Sequence, residues 1–130
     1  MNNLSLLWVI VASMLGAHMT YWFTHRNKFQ KMNAIRASAI STLLFVACTT
    51  PFSFLIIPKL HAAFFGGTFV AMSEPHRLSE RKVLLASFIF GLLFLVLLQF
   101  KGGIGGTLGA TAFVSCLAIY YLMANSREKR

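Results

Sequence analysis

Four long apolar runs, at 4–23, 37–58, 83–100 and 104–124, alternate with short basic clusters along this chain. A helix of about 20 apolar residues spans a bilayer, so each run predicts a transmembrane helix. Between the second and third lies a shorter apolar stretch, 59–75, KLHAAFFGGTFVAMSEP, bounded by Pro58 and Pro75 and centred on Gly66, Gly67 and Thr68. As a helix its 59–74 portion rises about 21–22 Å, short of a hydrocarbon core of about 30 Å. It is either a short crossing with a snorkelling Lys59 or a broken, re-entrant element.

The basic residues decide between these topologies. They fall in three clusters: Arg26, Lys28, Lys31 and Arg36; Arg77, Arg81 and Lys82; Arg127, Lys129 and Arg130. If the short stretch crosses, all three clusters lie on one side and only Lys59 and Lys101 lie on the other. Lys and Arg mark the cytoplasmic side, so five crossings are favoured, with the N-terminus outside and the C-terminus inside. No charge precedes the first run and a basic cluster follows it, so 4–23 reads as a retained helix rather than a cleaved signal.

Composition supports the same class. The 130 residues form one domain, 1–130, that is 57% apolar, with 12 Lys and Arg against three acids, Glu74, Glu80 and Glu128. Only 12% of residues are charged, where a soluble domain carries about a quarter. A net charge of +9 raises the question of nucleic acid, but the basic residues sit in short loops between apolar runs and no nucleic-acid module is visible. The expected fold is an all-α integral membrane protein of about five helices in the bilayer. The expected compartment is a bacterial inner membrane.

After the first helix, a weak repeat in parallel order joins a hairpin at 37–73 to a second at 83–124. Each has Arg-x-Ser, an apolar span, a lysine, Gly-Gly-Thr, Phe-Val and a serine: Arg36, Ser38, Lys59, Gly66–Thr68, Phe69, Val70 and Ser73; then Arg77, Ser79, Lys101, Gly105–Thr107, Phe113, Val114 and Ser115. Small residues also recur four apart, at Ala12, Gly16 and Thr20, at Ala63, Gly67 and Ala71, and at Gly102, Gly106 and Ala110. That spacing lets helix backbones approach closely, between elements or between copies.

A sharper reading makes the two Gly-Gly-Thr motifs a binding site. Glycine-rich breaks that line a cavity present free N–H groups to anions. The candidate substrate-binding set is Lys59, Gly66, Gly67, Thr68, Lys101, Gly105, Gly106 and Thr107. No Asp or Glu lies within any apolar run, which argues against cation or proton pathways. Pro51 predicts a kink in the second run, with Thr49 and Thr50 supplying hydroxyls to the freed carbonyls, and Gly91 marks a flexible point in the fourth.

Enzyme chemistry finds no constellation. His18 and His25 stand seven apart on one helix, an arrangement unable to sandwich a haem, and His61 belongs to the opposite face. Cys48 and Cys116 form no Cys-x-x-Cys, so neither a metal nor another cofactor is expected. Ser73, Glu74, His76 and Glu80 in a basic turn read as capping and solvation. Two functions follow: an oligomeric channel or carrier for a small anion or anionic head group, or a non-catalytic accessory subunit of a larger membrane complex. The expected partners are the lipid bilayer and either further copies or other membrane subunits.

Overall fold

The computed structural model describes residues 3–26, 33–52, 56–72, 79–99 and 104–128. These form five α-helices and, among the described residues, no strand: α1 Asn3–Tyr21, α2 Ala34–Thr49, α3 Ile57–Ala71, α4 Glu80–Leu97 and α5 Ile104–Glu128. Two helical stretches, Asn3–His25 and Gly106–Ala124, are long and apolar enough to cross a membrane.

The helix ends follow local chemistry. The C-terminus of α1 widens into a π-type turn over Trp22–Arg26, where Thr24 donates to the Thr20 carbonyl and His25 Nδ1 lies 3.2 Å from the Tyr21 carbonyl. Asn33, in extended conformation, precedes α2. Pro58 sits in the first turn of α3, where its missing N–H costs nothing.

The second apolar run departs from expectation. It was expected to continue through a kink to Pro58, but α2 stops at Thr49, and Ile57 and Pro58 already belong to α3. Pro51 has no N–H to carry the ladder forward, so it ends the helix instead of bending it. The Thr49 and Thr50 hydroxyls donate to the carbonyls of Phe45 and Val46, the second of which also accepts the Thr50 N–H, and not, as expected, to the Ala47 carbonyl that Pro51 leaves without its donor four residues on. The stretch containing Gly66 and Gly67 is also an unbroken helix, so the expected break at this point is absent. Each glycine weakens a helix by about 1 kcal/mol relative to alanine. The packing of α3 accounts for why that cost is borne.

Among the described residues α3 touches all four other helices, α1 packs on α2, α3 and α4, and α5 rests on α3 and α4 alone. Three contacts fix α2 and α3 as antiparallel: Ser38 with Thr68, Phe45 stacked on Phe64 with ring centroids 4.1 Å apart, and Thr49 with His61. The pairs His18–Glu80 and Ser13–Ser87 do the same for α1 and α4.

Small and hydroxylated residues dominate the interior. Ala12, Ser13, Gly16, Ala17 and Thr20 of α1 are buried, as are Ser38 and Ser41 of α2, Ala63, Gly67, Thr68 and Ala71 of α3, and Ser87 of α4. Phe64 and Phe90 are the largest fully buried side chains. Large apolar residues point outward on every helix, among them Leu4 and Trp8, Leu43 and Leu44, Phe65, Leu85 and Phe88, and Phe113 and Tyr121. A water-soluble bundle places its large apolar residues inside and its hydroxyls outside. This one reverses that distribution.

Candidate functional site

Helix α1 meets α3 backbone to backbone. A Cβ placed on Gly67 would fall on the carbonyl oxygen of Ser13, with the Ser13 carbonyl carbon at 2.8 Å, and one on Gly16 would fall on the Phe64 carbonyl. The obstacle on both sides is backbone, so only glycine permits this approach. Gly66 makes room for a different neighbour, the ring of Phe90. Gly91, expected to be a flexible point, lies inside α4, where an added Cβ would stand 3.2 Å from Ile10 Cα and 3.0 Å from Ser13 Oγ. Its role is close approach to α1.

A chain of buried hydroxyls runs beside these glycines. Ser41 donates to the Ser38 carbonyl at 3.0 Å, so its oxygen is left to accept from Thr20 at 3.0 Å. Thr68 donates to the Phe65 carbonyl at 2.6 Å, so Ser38 is the donor in the 2.7 Å contact between them. Ser13 shares its proton between the carbonyls of Ile10 and Ser87, both at 2.9 Å. The Ser13, Ser41 and Thr68 protons end on backbone carbonyls and those of Thr20 and Ser38 on hydroxyl oxygens, so each buried hydroxyl has a partner. The network joins α1 to α2, α2 to α3 and α1 to α4.

The expected site residues separate into two environments. Gly66, Gly67 and Thr68 are buried at the junction of α3 with its neighbours, their N–H groups inside a continuous helix and the Thr68 proton directed at Phe65. Lys59 is half-buried in the first turn of α3. Gly105 is the second residue of α5. Gly106 and Thr107 lie exposed on α5, and a Cβ on Gly106 would meet nothing within 4 Å. The second Gly-Gly-Thr therefore does not pack on the first. Lys101 and Gly102 lie outside the described residues, as do Ser73, Glu74, His76 and Arg77.

Other marks of the repeat occupy unlike places. Ser38 is buried against Thr68, whereas Ser79 is the exposed residue that precedes α4. Val70 is buried and Val114 is exposed. Of the three small-residue series, those of α1 and α3 are buried as their spacing suggests, while Gly106 and Ala110 of α5 face outward. Helix α5 contacts the bundle through Leu108, Ala112, Ser115 and Ile119 instead.

The histidines take local partners. His61 Nε2 lies 2.6 Å from Thr49 Oγ1; because Thr49 donates to the Phe45 carbonyl, the histidine nitrogen is the donor. His18 lies across from Glu80, Nδ1 to Oε1 3.6 Å, joining the end of α1 to the start of α4. Cys48 is exposed and Cys116 half-buried, both as free thiols. No group of three or more His, Cys, Asp or Glu comes together among the described residues.

The sequence pointed to the glycines but not to Ser13, Ser41 and Ser87, and to Ser38 only as a mark of the repeat; these are the hydroxyls that bind the helices beside them. Their signal was spacing: Ser13 shares a face with Gly16 and Thr20, and Ser38 lies one turn before Ser41. No family model, curated protein or solved structure matches this chain.

Proposed function

We propose that this chain is a multi-pass protein of a bacterial inner membrane; five alternating crossings with the N-terminus outside would run α1 and α3 the same way, whereas the Gly16–Phe64 and Gly67–Ser13 contacts set them antiparallel. Its work is lateral association, as a non-catalytic assembly subunit that joins its own copies or other membrane subunits. The inverted interior carries this reading. Outward Leu, Phe and Trp side chains suit a lipid solvent, while close glycine contacts and buried hydroxyl bonds supply helix cohesion where lipid gives no hydrophobic drive. The short α2 and α3 are accommodated by local thinning and by neighbours that cover them.

Assembly is favoured over an autonomous pathway by the state of the first Gly-Gly-Thr. Its backbone donors lie within a helix and its threonine proton is committed to Phe65, so it offers little to an anion. The channel or carrier reading draws instead on Gly106 and Thr107, which lie on an outer face of α5. There the walls of a pathway would come from several copies.

Anion efflux from liposomes, together with the size of the native assembly, separates the two. For an assembly subunit, efflux matches protein-free vesicles, Lys59→Ala and Lys101→Ala are silent, and Gly106→Leu reduces the assembly size on native gels. Anion-selective flux that falls in the double lysine variant, more at low salt than at high, overturns assembly in favour of transport.

A further inference from the structure

Two helices begin at one end of the bundle. The Gly16–Phe64 and Gly67–Ser13 contacts run α3 against α1, and the Ser13–Ser87 and His18–Glu80 contacts run α4 against α1. Helices α3 and α4 therefore share a direction, and both start where α1 finishes. Their register follows from Gly66, which makes room for the ring of Phe90. Seven residues back along each helix, Lys59 stands level with Val83, which Arg81 and Lys82 immediately precede. The charge pattern of the sequence alone puts Lys59 on the side opposite Arg81 and Lys82. In the fold the three cations share one rim, and Glu80, the one acid in these first turns, lies beside His18.

Beneath this rim the surface of α4 is apolar. Arg81 is exposed, and Leu85, Phe88 and Leu92 continue its face of the helix, each exposed as well. Trp22 stands exposed where α1 finishes, a place suited to an aromatic side chain at a membrane–water boundary. Resting on the membrane reading above, we propose that Lys59, Arg81 and Lys82 bind the head group of an anionic phospholipid whose acyl chains lie along the Leu85–Phe88–Leu92 face of α4. Three cations in neighbouring first turns select a negative head group, and their apolar stems lie along the helices while the charged ends stay in water. From Arg81 to Leu92 the helix rises about 16 Å, half of a hydrocarbon core of about 30 Å, which is the depth of one leaflet. An acidic protein segment would meet the charge but leave the leucines and phenylalanine below it uncovered. A ligand that is anionic at one end and hydrocarbon for the rest meets both.

Native mass spectrometry of detergent-purified protein, supplied with phosphatidylglycerol or phosphatidylcholine, tests the assignment. Wild type retains phosphatidylglycerol in preference to phosphatidylcholine, and the preference shrinks as salt is raised during loading. Each basic residue near a membrane surface contributes about five-fold, so Lys59→Ala and Arg81→Ala each reduce the preference by about that factor. The triple variant that adds Lys82→Ala reduces it on the order of 100-fold, with helical circular dichroism that matches wild type. Equal retention of the two lipids by wild type overturns the proposal without recourse to any variant. A Lys59→Ala protein with the full preference also overturns it, because the shared rim of α3 and α4 is then not the site. Polyglutamate bound through the same three residues, with the lipids retained equally, overturns it in favour of an acidic protein segment. Release of the chain from native membranes by alkaline carbonate is a separate result, one that overturns the membrane reading itself.

Discussion

Gly67→Ala is the smallest change that opposes the close contact of α1 and α3. The added methyl falls on the Ser13 carbonyl oxygen, with its carbonyl carbon at 2.8 Å and Cα at 3.0 Å. Moving the carbonyl carbon alone from 2.8 Å to the 3.4 Å of ordinary contact parts the two helices by about 0.6 Å, and the oxygen demands more. No rotamer relieves this, because the obstacle is helical backbone. Overpacking of this kind costs about 1–3 kcal/mol, and parting α1 from α3 also strains the Ser13 bond to Ser87 and the Thr20–Ser41 contact. Against it stands the gain of alanine over glycine in a helix, about 1 kcal/mol. The difference of about 0–2 kcal/mol is increased by the strain on those two polar contacts, so the net expectation is a loss. Gly106→Ala has the same chemistry and no neighbour within 4 Å, so it should show only the helix gain, a stabilisation of about 0.5–1 kcal/mol. Reversible unfolding in mixed micelles, titrated with SDS and followed by far-UV circular dichroism, measures both variants. Equal midpoints for the two, or a Gly67→Ala protein as stable as wild type, would refute the packing described for α1 and α3.

Two further outcomes follow from the polar contacts. In a double-mutant cycle of Ser38→Ala and Thr68→Val, the coupling should be about 0.6 kcal/mol and at most about 1.7 kcal/mol, the average and the maximum for polar bonds between helices in a membrane; additivity of the two variants would show that the 2.7 Å contact is not made. The His18–Glu80 pair is 3.6 Å long with side chains 45% and 29% exposed, so a cycle of His18→Ala and Glu80→Gln should give at most about 1 kcal/mol and less at high salt. A larger, salt-insensitive coupling would place the pair in a dry interface.

Much of the helical order was legible in the sequence because long apolar runs separated by basic clusters leave few alternatives. Five helices follow that order, and the small-residue spacings of α1 and α3 identified faces that are in fact buried: Ala12, Gly16 and Thr20 against Ala63, Gly67 and Ala71. The end of α2 was not legible from hydrophobicity, which continues through Pro51 to Pro58 without a change. Proline in an apolar run permits either a kink or a stop. Here the chain stops, and the Thr49 and Thr50 hydroxyls fold back onto the last turn at the Phe45 and Val46 carbonyls.

The two Gly-Gly-Thr motifs show why a local pattern did not settle the candidate site. As tripeptides they are identical, and each follows a lysine by several residues. What distinguishes them is the opposing surface. Gly67 meets Ser13, whose small side chain and shared proton let α1 approach to backbone contact, and Thr68 meets Ser38, which supplies a donor. Gly106 has no such counterpart among the described residues. A glycine pair in a helix is a permission for close approach, and it becomes a contact only where a second small or hydroxylated helix face comes opposite. The sequence supplies one matching face, Ser13–Gly16–Thr20 on α1, and α3 has taken it. The outward face of α5 therefore retains its glycines with no use for them among the described residues, which is why the proposed assembly draws on that face.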